Sequence, residues 1–119
     1  MIISESDRQQ LLNLFAAEAE ETLANLEDLL LQLEKAPHQA DLLHEIFRGA
    51  HTLKGSASCL QFNELTTFAH AVEGTLDRLR NHEIDVTPER ISQLLTAVDA
   101  LRDLSLRSVA GQCAMRENE

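Results

Sequence analysis

The chain has 119 residues, 44% of them hydrophobic, and a formal net charge of −10. This length fits one domain, and the hydrophobic content is too high for a disordered polyelectrolyte. The acidity argues against binding to nucleic acid or to anionic membrane surfaces, and because neither a membrane span nor a secretory signal is visible, we expect a cytoplasmic protein.

Two amphipathic helices are predicted in the first half of the chain. The first runs from Ser6 to Lys35, because apolar residues recur there at steps of three and four while most acids lie outside that stripe. Its N-cap is left open between Ser4 and Ser6. A linker that contains Pro37 separates it from the second helix. The apolar stripe of the second helix consists of Leu43, Ile46, Phe47, Ala50, Leu53 and Ala57.

Two further helices are predicted in the second half. The pattern breaks after Cys59, and Asn63 is predicted to be the N-cap of the third helix, because asparagine is favoured at that position. Thr87, Pro88 and Glu89 predict the start of the fourth helix, since they supply a cap, a first-turn proline and an acid at the positive dipole end. The two apolar stripes are Leu65, Phe68, Ala69, Val72, Leu76 and Leu79, then Ile91, Leu94, Leu95, Val98 and Leu101.

These four helices, joined by short links, predict an all-α fold. No strand pattern of period two is visible, so we expect an antiparallel up-down four-helix bundle. We assign residues 1–107 to this bundle. Residues 108–119 are left open between a tail or linker and the start of a short additional C-terminal helix.

The stretch FRGAHTLKGSAS, residues 47–58, contains a candidate functional site. Helical geometry places His51 roughly 120° from the centre of the apolar stripe, on the flank of the bundle. Arg48 precedes it by one turn, and Lys54 with Gly55 follows it by one turn. A phosphoryl group on the imidazole would add about two negative charges, which the two cations would offset. The bare glycine would let another protein approach, so the set is typical of a phosphorylated histidine.

A second half-site is predicted on the third helix, where His70 and Glu73 lie off the apolar stripe. An antiparallel neighbour would place Glu73 beside His51. A carboxylate that accepts a hydrogen bond from one imidazole nitrogen fixes the tautomer and leaves the other nitrogen free as a nucleophile. Taken singly, these features have ordinary explanations, since an exposed histidine or glutamate is usually a plain surface residue. Gly49 is expected to allow close helix packing.

The segment IFRGAHTLKGSASCLQFNELTTFAHAVEGTLDRLR, residues 46–80, resembles histidine-containing phosphotransfer (HPt) domains, most of all those at the N-terminus of CheA-type chemotaxis histidine kinases. The family pattern F-R-x-A-H-[ST]-[IL]-K-G-x-A fits residues 47–57, and an H-x-x-E pair one helix later fits His70 and Glu73. The acidic first helix is similar as well, so the likeness extends to about Leu104.

The resemblance implies a phosphocarrier of a two-component signalling system. His51 would take the γ-phosphoryl group of ATP from a separate histidine kinase catalytic domain and pass it to an aspartate of a response-regulator receiver domain. Glu73 would orient His51. Lys54 would stabilise the added charge, and His70 would shape the environment of the imidazole. Partner docking is expected at Arg48, Gly55 and Ser58.

Two departures from the family pattern lie next to this site. Many relatives have a second glycine after Lys-Gly, whereas this chain has Ser56, which leaves phosphotransfer intact but is expected to alter the fit to partners. Many relatives also have Phe-Gly before the third helix, whereas this chain has Leu60 and Gln61. The exact start of the third helix therefore stays open.

Cofactors and metals are not expected. No Gly-rich nucleotide loop or Asp-rich magnesium cluster is visible, so the isolated chain is not expected to bind ATP productively, and whether it counts as an enzyme depends on its context. Cys59 and Cys113 belong to no CxxC motif, which favours reduced thiols over a disulfide or a zinc site. A metal-binding bundle would take its ligands from His44, His51, His70 and Glu73. This interpretation is disfavoured because the Glu-x-x-His pairs of di-iron bundles are missing.

The leading interpretation has two competitors. We expect the chain to be the N-terminal domain of a CheA-like kinase, and a free-standing phosphorelay protein is the competing interpretation within the same class. An acidic helical interaction module that is never phosphorylated is the competing interpretation from a different class. We expect the isolated phosphotransfer domain to be monomeric.

Overall fold

The computed structural model describes the backbone of residues 4–117 and the side chains of residues 4–112. The described part consists of four helices: α1 (Glu5–Lys35), α2 (Ala40–Cys59), α3 (Asn63–Arg80) and α4 (Pro88–Glu117). Both α1 and α3 pack against α2 and α4, whereas in these residues the Cα atoms of the diagonal pairs α1/α3 and α2/α4 stay more than 8 Å apart. Because the links are short, consecutive helices run antiparallel, so the predicted up-down four-helix bundle is confirmed. None of the described helices is long and apolar enough to cross a membrane.

The core is built almost entirely from aliphatic side chains of the four predicted stripes. Full burial of one such side chain contributes roughly 1.5–3 kcal/mol to stability. Phe15 and Phe62 meet edge to face, 5.2 Å apart between ring centroids, near the link between α2 and α3. The most deeply buried large side chains are Leu12, Leu23, Leu30, Leu33, Ile46, Leu65, Leu76, Leu79, Ile91 and Leu101.

Side-chain caps begin α1 and α4 as the sequence indicated. The hydroxyl of Ser4 accepts a hydrogen bond from the backbone amide of Asp7 at 3.1 Å, which decides between the two caps left open for α1. The hydroxyl of Thr87 accepts one from the backbone amide of Arg90 at 3.2 Å. Each cap satisfies one of the amides that a helix N-terminus leaves without a partner.

The predicted N-cap of the third helix is wrong. Asn63 is the first residue of α3, and Phe62 occupies the N-cap position without a side-chain hydrogen bond. The backbone amide of Phe62 donates to the carbonyl of Ala57, and that of Gln61 donates to Ser58, which closes α2 with a Schellman motif. Gln61 has a left-handed φ of 60° there. Because the Phe62 ring is buried, core packing outweighs the capping preference of asparagine.

Two aromatic residues of the predicted stripes are only partly buried. Phe47 and Phe68 pack against the core but stay partly accessible, because they lie at the seams between helices. Phe47 lies under Arg80 of α3, and Phe68 lines a groove with Leu104 of α4. The apolar stripes therefore predicted the correct side of each helix but overestimated how deeply Phe47 and Phe68 are buried.

Gly49 allows α1 and α2 to approach closely, as predicted. A Cβ atom at this position would lie 2.8 Å from Cδ2 of Leu26 on α1. Leu26 is itself buried in the core, so a larger residue at position 49 would have to displace this side chain or push the two helices apart.

The fourth helix continues beyond residue 107. It reaches Glu117 without interruption, so residues 108–117 extend α4 and form neither a separate tail nor a separate helix. The guanidinium of Arg8 donates a hydrogen bond to the side chain of Gln112, which joins this extension to α1. Cys59 is an exposed free thiol. The side chain of Cys113 and residues 118–119 lie outside the described part.

We expect Gln61→Gly to raise the free energy of unfolding by about 1 kcal/mol, because only glycine adopts the left-handed conformation without steric cost. Urea denaturation followed by circular dichroism measures this change. The matched control is Gln93→Gly on the exposed face of α4, which is expected to lower the same quantity by about 1 kcal/mol. A loss of stability in both variants would contradict the role assigned to Gln61.

Candidate functional site

The seam between α2 and α3 brings the predicted site residues together. His51 and Lys54 project from α2, one turn apart, and Glu73 projects from the antiparallel α3. His51 is on the flank of the bundle, as predicted, with 62% of its side chain exposed. Glu73 is mostly covered, with 14% of its side chain exposed. The site thus combines an accessible imidazole with a shielded carboxylate.

Both oxygens of the Glu73 carboxylate are engaged. Oε2 accepts a hydrogen bond from Nδ1 of His51 at 2.6 Å, and Oε1 accepts one from Nζ of Lys54 at 3.0 Å. Because an ionised carboxylate can only accept hydrogen bonds, Nδ1 of the neutral imidazole carries the proton. The lone pair of His51 that is free for chemistry is therefore on Nε2.

The surroundings of Glu73 favour its ionised form. Partial burial by itself raises the pKa of the Glu73 carboxyl, because it penalises the charge. The hydrogen bonds from His51 and Lys54, together with the positive charge beside them, outweigh this penalty and hold the pKa below its ordinary value. Glu73 is therefore an acceptor for Nδ1–H of His51 throughout the physiological pH range.

The seam continues past His51 toward the N-terminus of α2. The ring of Phe47 lies nearly parallel to the His51 ring, with 6.2 Å between centroids and 10° between planes. Cζ of Arg80 lies 3.9 Å from the Phe47 centroid, and Arg80 also donates a hydrogen bond to Asp77 at 2.7 Å. Sequence reasoning assigned no site role to these three residues. The spacing of Glu73, Asp77 and Arg80, at steps of four and three, was the available signal.

The remaining predicted site residues make no hydrogen bond or ion pair to His51. Arg48 and Ser58 are exposed on α2, and His70 is exposed on α3, one turn before Glu73. A Cβ atom at Gly55 would meet nothing within 4 Å, so the fold does not require a glycine there. Gly49, in contrast, lies against Leu26. The missing side chain at Gly55 leaves an open surface beside the imidazole.

The four residues considered for a metal-binding bundle do not form one cluster. Only His51 and Glu73 come together, whereas His44 and His70 are exposed and bond to neither. Among the described residues, no group of three or more His, Cys, Asp and Glu side chains is arranged to hold a metal ion.

The family model of the Hpt domain matches residues 10–104. The chain belongs to this family. It is 39% identical over 107 residues to the chemotaxis protein CheA of Treponema pallidum, a match that covers 90% of the chain and 13% of that protein. It is 32% identical over 117 residues to CheA of Borreliella burgdorferi, which covers 98% of the chain and 14% of that protein. The chain thus spans only a small part of the length of these relatives.

Solved structures agree with the family in fold. The CheA phosphotransferase domain from Thermotoga maritima aligns with a TM-score of 0.79 and 37% identity, covering 85% of this chain and 96% of that one. The phosphorylated P1 domain of CheA3 in complex with CheY6 from R. sphaeroides aligns with a TM-score of 0.81 and 26% identity, covering 87% and 81%. The Hpt family, which the sequence predicted, is therefore confirmed.

We expect the pKa of Glu73 to lie below about 4.3, the ordinary value for glutamate, and to rise in Lys54→Met. The substitution removes one hydrogen bond and one charge while the burial of the carboxyl stays. NMR titration of the carboxyl carbon measures both values. Because folding depresses this pKa, ionised Glu73 contributes stability above about pH 4.3, and that contribution is lost as the pH falls through the folded-state pKa.

Lys35→Met provides the control, since Lys35 is the other lysine of the chain and lies at the end of α1. It removes the same charge far from the seam, so the pKa of Glu73 is expected to stay unchanged. An equal rise of the Glu73 pKa in both variants would show that the total charge of the chain, and not the contact with Lys54, lowers this pKa.

Proposed function

We propose that this Hpt domain is a phosphocarrier of a two-component signalling system and that His51 is its phosphoacceptor. The observation that carries the proposal is the hydrogen bond from Nδ1 of the exposed His51 to the ionised Glu73. This contact leaves Nε2 as the nucleophilic nitrogen on an accessible surface. The membership in the Hpt family and the similarity to CheA proteins support the same class of function.

In the first transfer, Nε2 of His51 attacks the γ-phosphorus of ATP held by a separate histidine kinase catalytic domain. The N–P bond forms while the bond to the β,γ-bridging oxygen breaks, and ADP leaves. The imidazole then carries a positive charge, because Nδ1 keeps its proton while Nε2 is bonded to phosphorus. The ionised Glu73, at 2.6 Å from Nδ1, stabilises this charge as it develops.

In the second transfer, the phosphoryl group moves from Nε2 to a carboxylate oxygen of an aspartate on a response-regulator receiver domain. The N–P bond breaks, the O–P bond forms, and His51 returns to the neutral tautomer that Glu73 holds. The similarity to a phosphorylated CheA P1 domain in complex with CheY6 supports a partner protein of this kind as the acceptor.

The neighbours of His51 have supporting roles in this proposal. Lys54, which Glu73 holds at 3.0 Å, offsets the negative charge of the phosphoryl group, and the exposed His70 shapes the same environment. The open surface at Gly55 admits the partner, with Arg48 and Ser58 exposed on the same helix.

The relatives are much longer than this chain, which supports a wider context for it. We assign the chain to the N-terminal part of a cytoplasmic CheA-like kinase, with residues 1–107 as a monomeric phosphotransfer domain. The nucleotide chemistry belongs to the catalytic domain, which acts in the same chain or in another one. No cofactor of its own and no nucleic acid takes part.

We expect His51→Gln to abolish phosphorylation, because no other imidazole of the described part has a carboxylate partner. The protein is incubated with a CheA-type catalytic domain and radiolabelled ATP, and the label is tested for loss in acid and survival in base. His44→Gln serves as the control that keeps the label. A folded His51→Gln protein with full labelling would dismiss His51, and an unlabelled wild type beside a positive carrier would favour the interaction module.

We expect Glu73→Ala to slow phosphorylation about 100-fold without unfolding the bundle, since the tautomer and the orientation of His51 are then no longer fixed. Initial labelling rates and the helical circular dichroism signal measure the two effects. Glu45→Ala is the matched control, because it removes an exposed acid from α2 without touching the imidazole. An unaltered rate in Glu73→Ala would remove this residue from the site.

A further inference from the structure

We propose that Arg80, acting through the ring of Phe47, is a positioning residue that holds the imidazole of His51 in the orientation needed for phosphoryl transfer. The proposal rests on the proposed function, because it assigns further residues to the same reaction. It concerns the side of His51 that faces away from Lys54, where the sequence suggested a role for Arg48 but none for Arg80 or Phe47.

The hydrogen bond to Glu73 alone does not fix the imidazole. It restrains one atom, Nδ1, while the ring stays able to tilt about that contact, and more than half of the side chain lies in solvent. Packing therefore supplies little restraint on the exposed side. A second contact is needed to define the plane of the ring, and with it the direction in which Nε2 points.

The ring of Phe47 provides this second contact. It precedes His51 by four residues, and side chains on a helix lean toward its N-terminus, so His51 leans over Phe47. The two rings are nearly parallel, with 10° between planes and 6.2 Å between centroids, which is within the range of offset aromatic pairs. The contact with the Phe47 ring thus limits the tilt of the imidazole in one direction.

Phe47 is itself only partly buried, and Arg80 of α3 packs on its ring. The guanidinium of Arg80 lies over the Phe47 ring, 3.9 Å from Cζ to the centroid, in the geometry of a cation–π contact. Asp77, one turn earlier on α3, accepts a hydrogen bond from Arg80 at 2.7 Å. Asp77, Arg80, Phe47 and His51 therefore form one connected series across the seam.

The expected consequence is kinetic. Phosphoryl transfer depends mainly on alignment and charge stabilisation, so a loosely held imidazole lowers the rate of the chemical step. Arg80 touches Phe47 and Asp77 instead of the reacting nitrogen, and its loss leaves the surface around Gly55 unchanged. We therefore expect an effect on kcat and not on the KM for the phosphocarrier.

The test compares Arg80→Met with Arg80→Lys and with Arg78→Met. Phosphorylation by a CheA-type catalytic domain is measured against the concentration of this chain, at saturating ATP. Arg80→Met is expected to lower kcat about tenfold with an unchanged KM. Arg80→Lys, which keeps a cation over the ring, is expected to restore most of kcat. Arg78→Met removes an exposed arginine from the other flank of α3 and is expected to leave both constants unchanged.

NMR spectroscopy of the His51 ring gives a readout that does not depend on phosphorylation. Because the Phe47 ring shifts nearby resonances, the Hδ2 and Hε1 signals of His51 are expected to move toward their unstructured positions in Arg80→Met. The ring nitrogen shifts are expected to keep the Nδ1–H tautomer, since Glu73 is intact. Phe47→Leu keeps an apolar side chain but no aromatic face. We expect it to lower kcat and to shift the His51 ring signals as Arg80→Met does.

Three results would overturn the proposal: an unchanged kcat in folded Arg80→Met and Phe47→Leu, a rise in KM alone, or unchanged His51 ring signals in Arg80→Met. A rise in KM would identify Arg80 as a docking residue, and a loss of thermal stability alone would identify it as a structural tie between α2 and α3. Failure of the proposed function is distinguished from these results, because wild-type protein would then carry no label at His51.

Discussion

The hydrogen bond between Nδ1 of His51 and Glu73 is the interaction on which the proposed chemistry of this fold depends. It joins residues on two helices, and it alone decides which imidazole nitrogen is free. The bond requires that α2 and α3 lie antiparallel with a defined register, which a link of only three residues provides. The left-handed Gln61 in that link shows that the sharp reversal is kept at a local conformational cost.

The charges of the seam explain how a strongly acidic chain keeps a site for another anion. Lys54 and Arg80 are each held by a carboxylate of α3, at Glu73 and Asp77, and lie on either side of the histidine along the seam. Glu73 stays ionised because hydrogen bonds and positive charge outweigh the penalty of its burial. The carboxylate in turn stabilises a cationic imidazole. Local pairing, and not net charge, therefore sets the electrostatics at His51.

The two glycines of α2 illustrate how one residue type serves different ends. Gly49 lies against Leu26, where a Cβ atom would meet the core of the neighbouring helix. Gly55 faces open space, so the bundle gains nothing from it, although glycine weakens a helix by about 1 kcal/mol. In the proposed function, the approach of a partner to His51 gives the second glycine a physical reason. Both lie within one helix, and only the packing around them separates the two cases.

The sequence by itself determined the four helices, the position of His51 on the flank and the family, because helical periodicity, the cap at Thr87 and a contiguous motif are local properties. It did not determine the start of α3, where burial of Phe62 outweighed the capping preference of Asn63. Nor did it reveal the series of contacts from Asp77 through Arg80 and Phe47 to His51. Contacts across a seam depend on the register between two helices and on side-chain direction, and only the tertiary structure decides these.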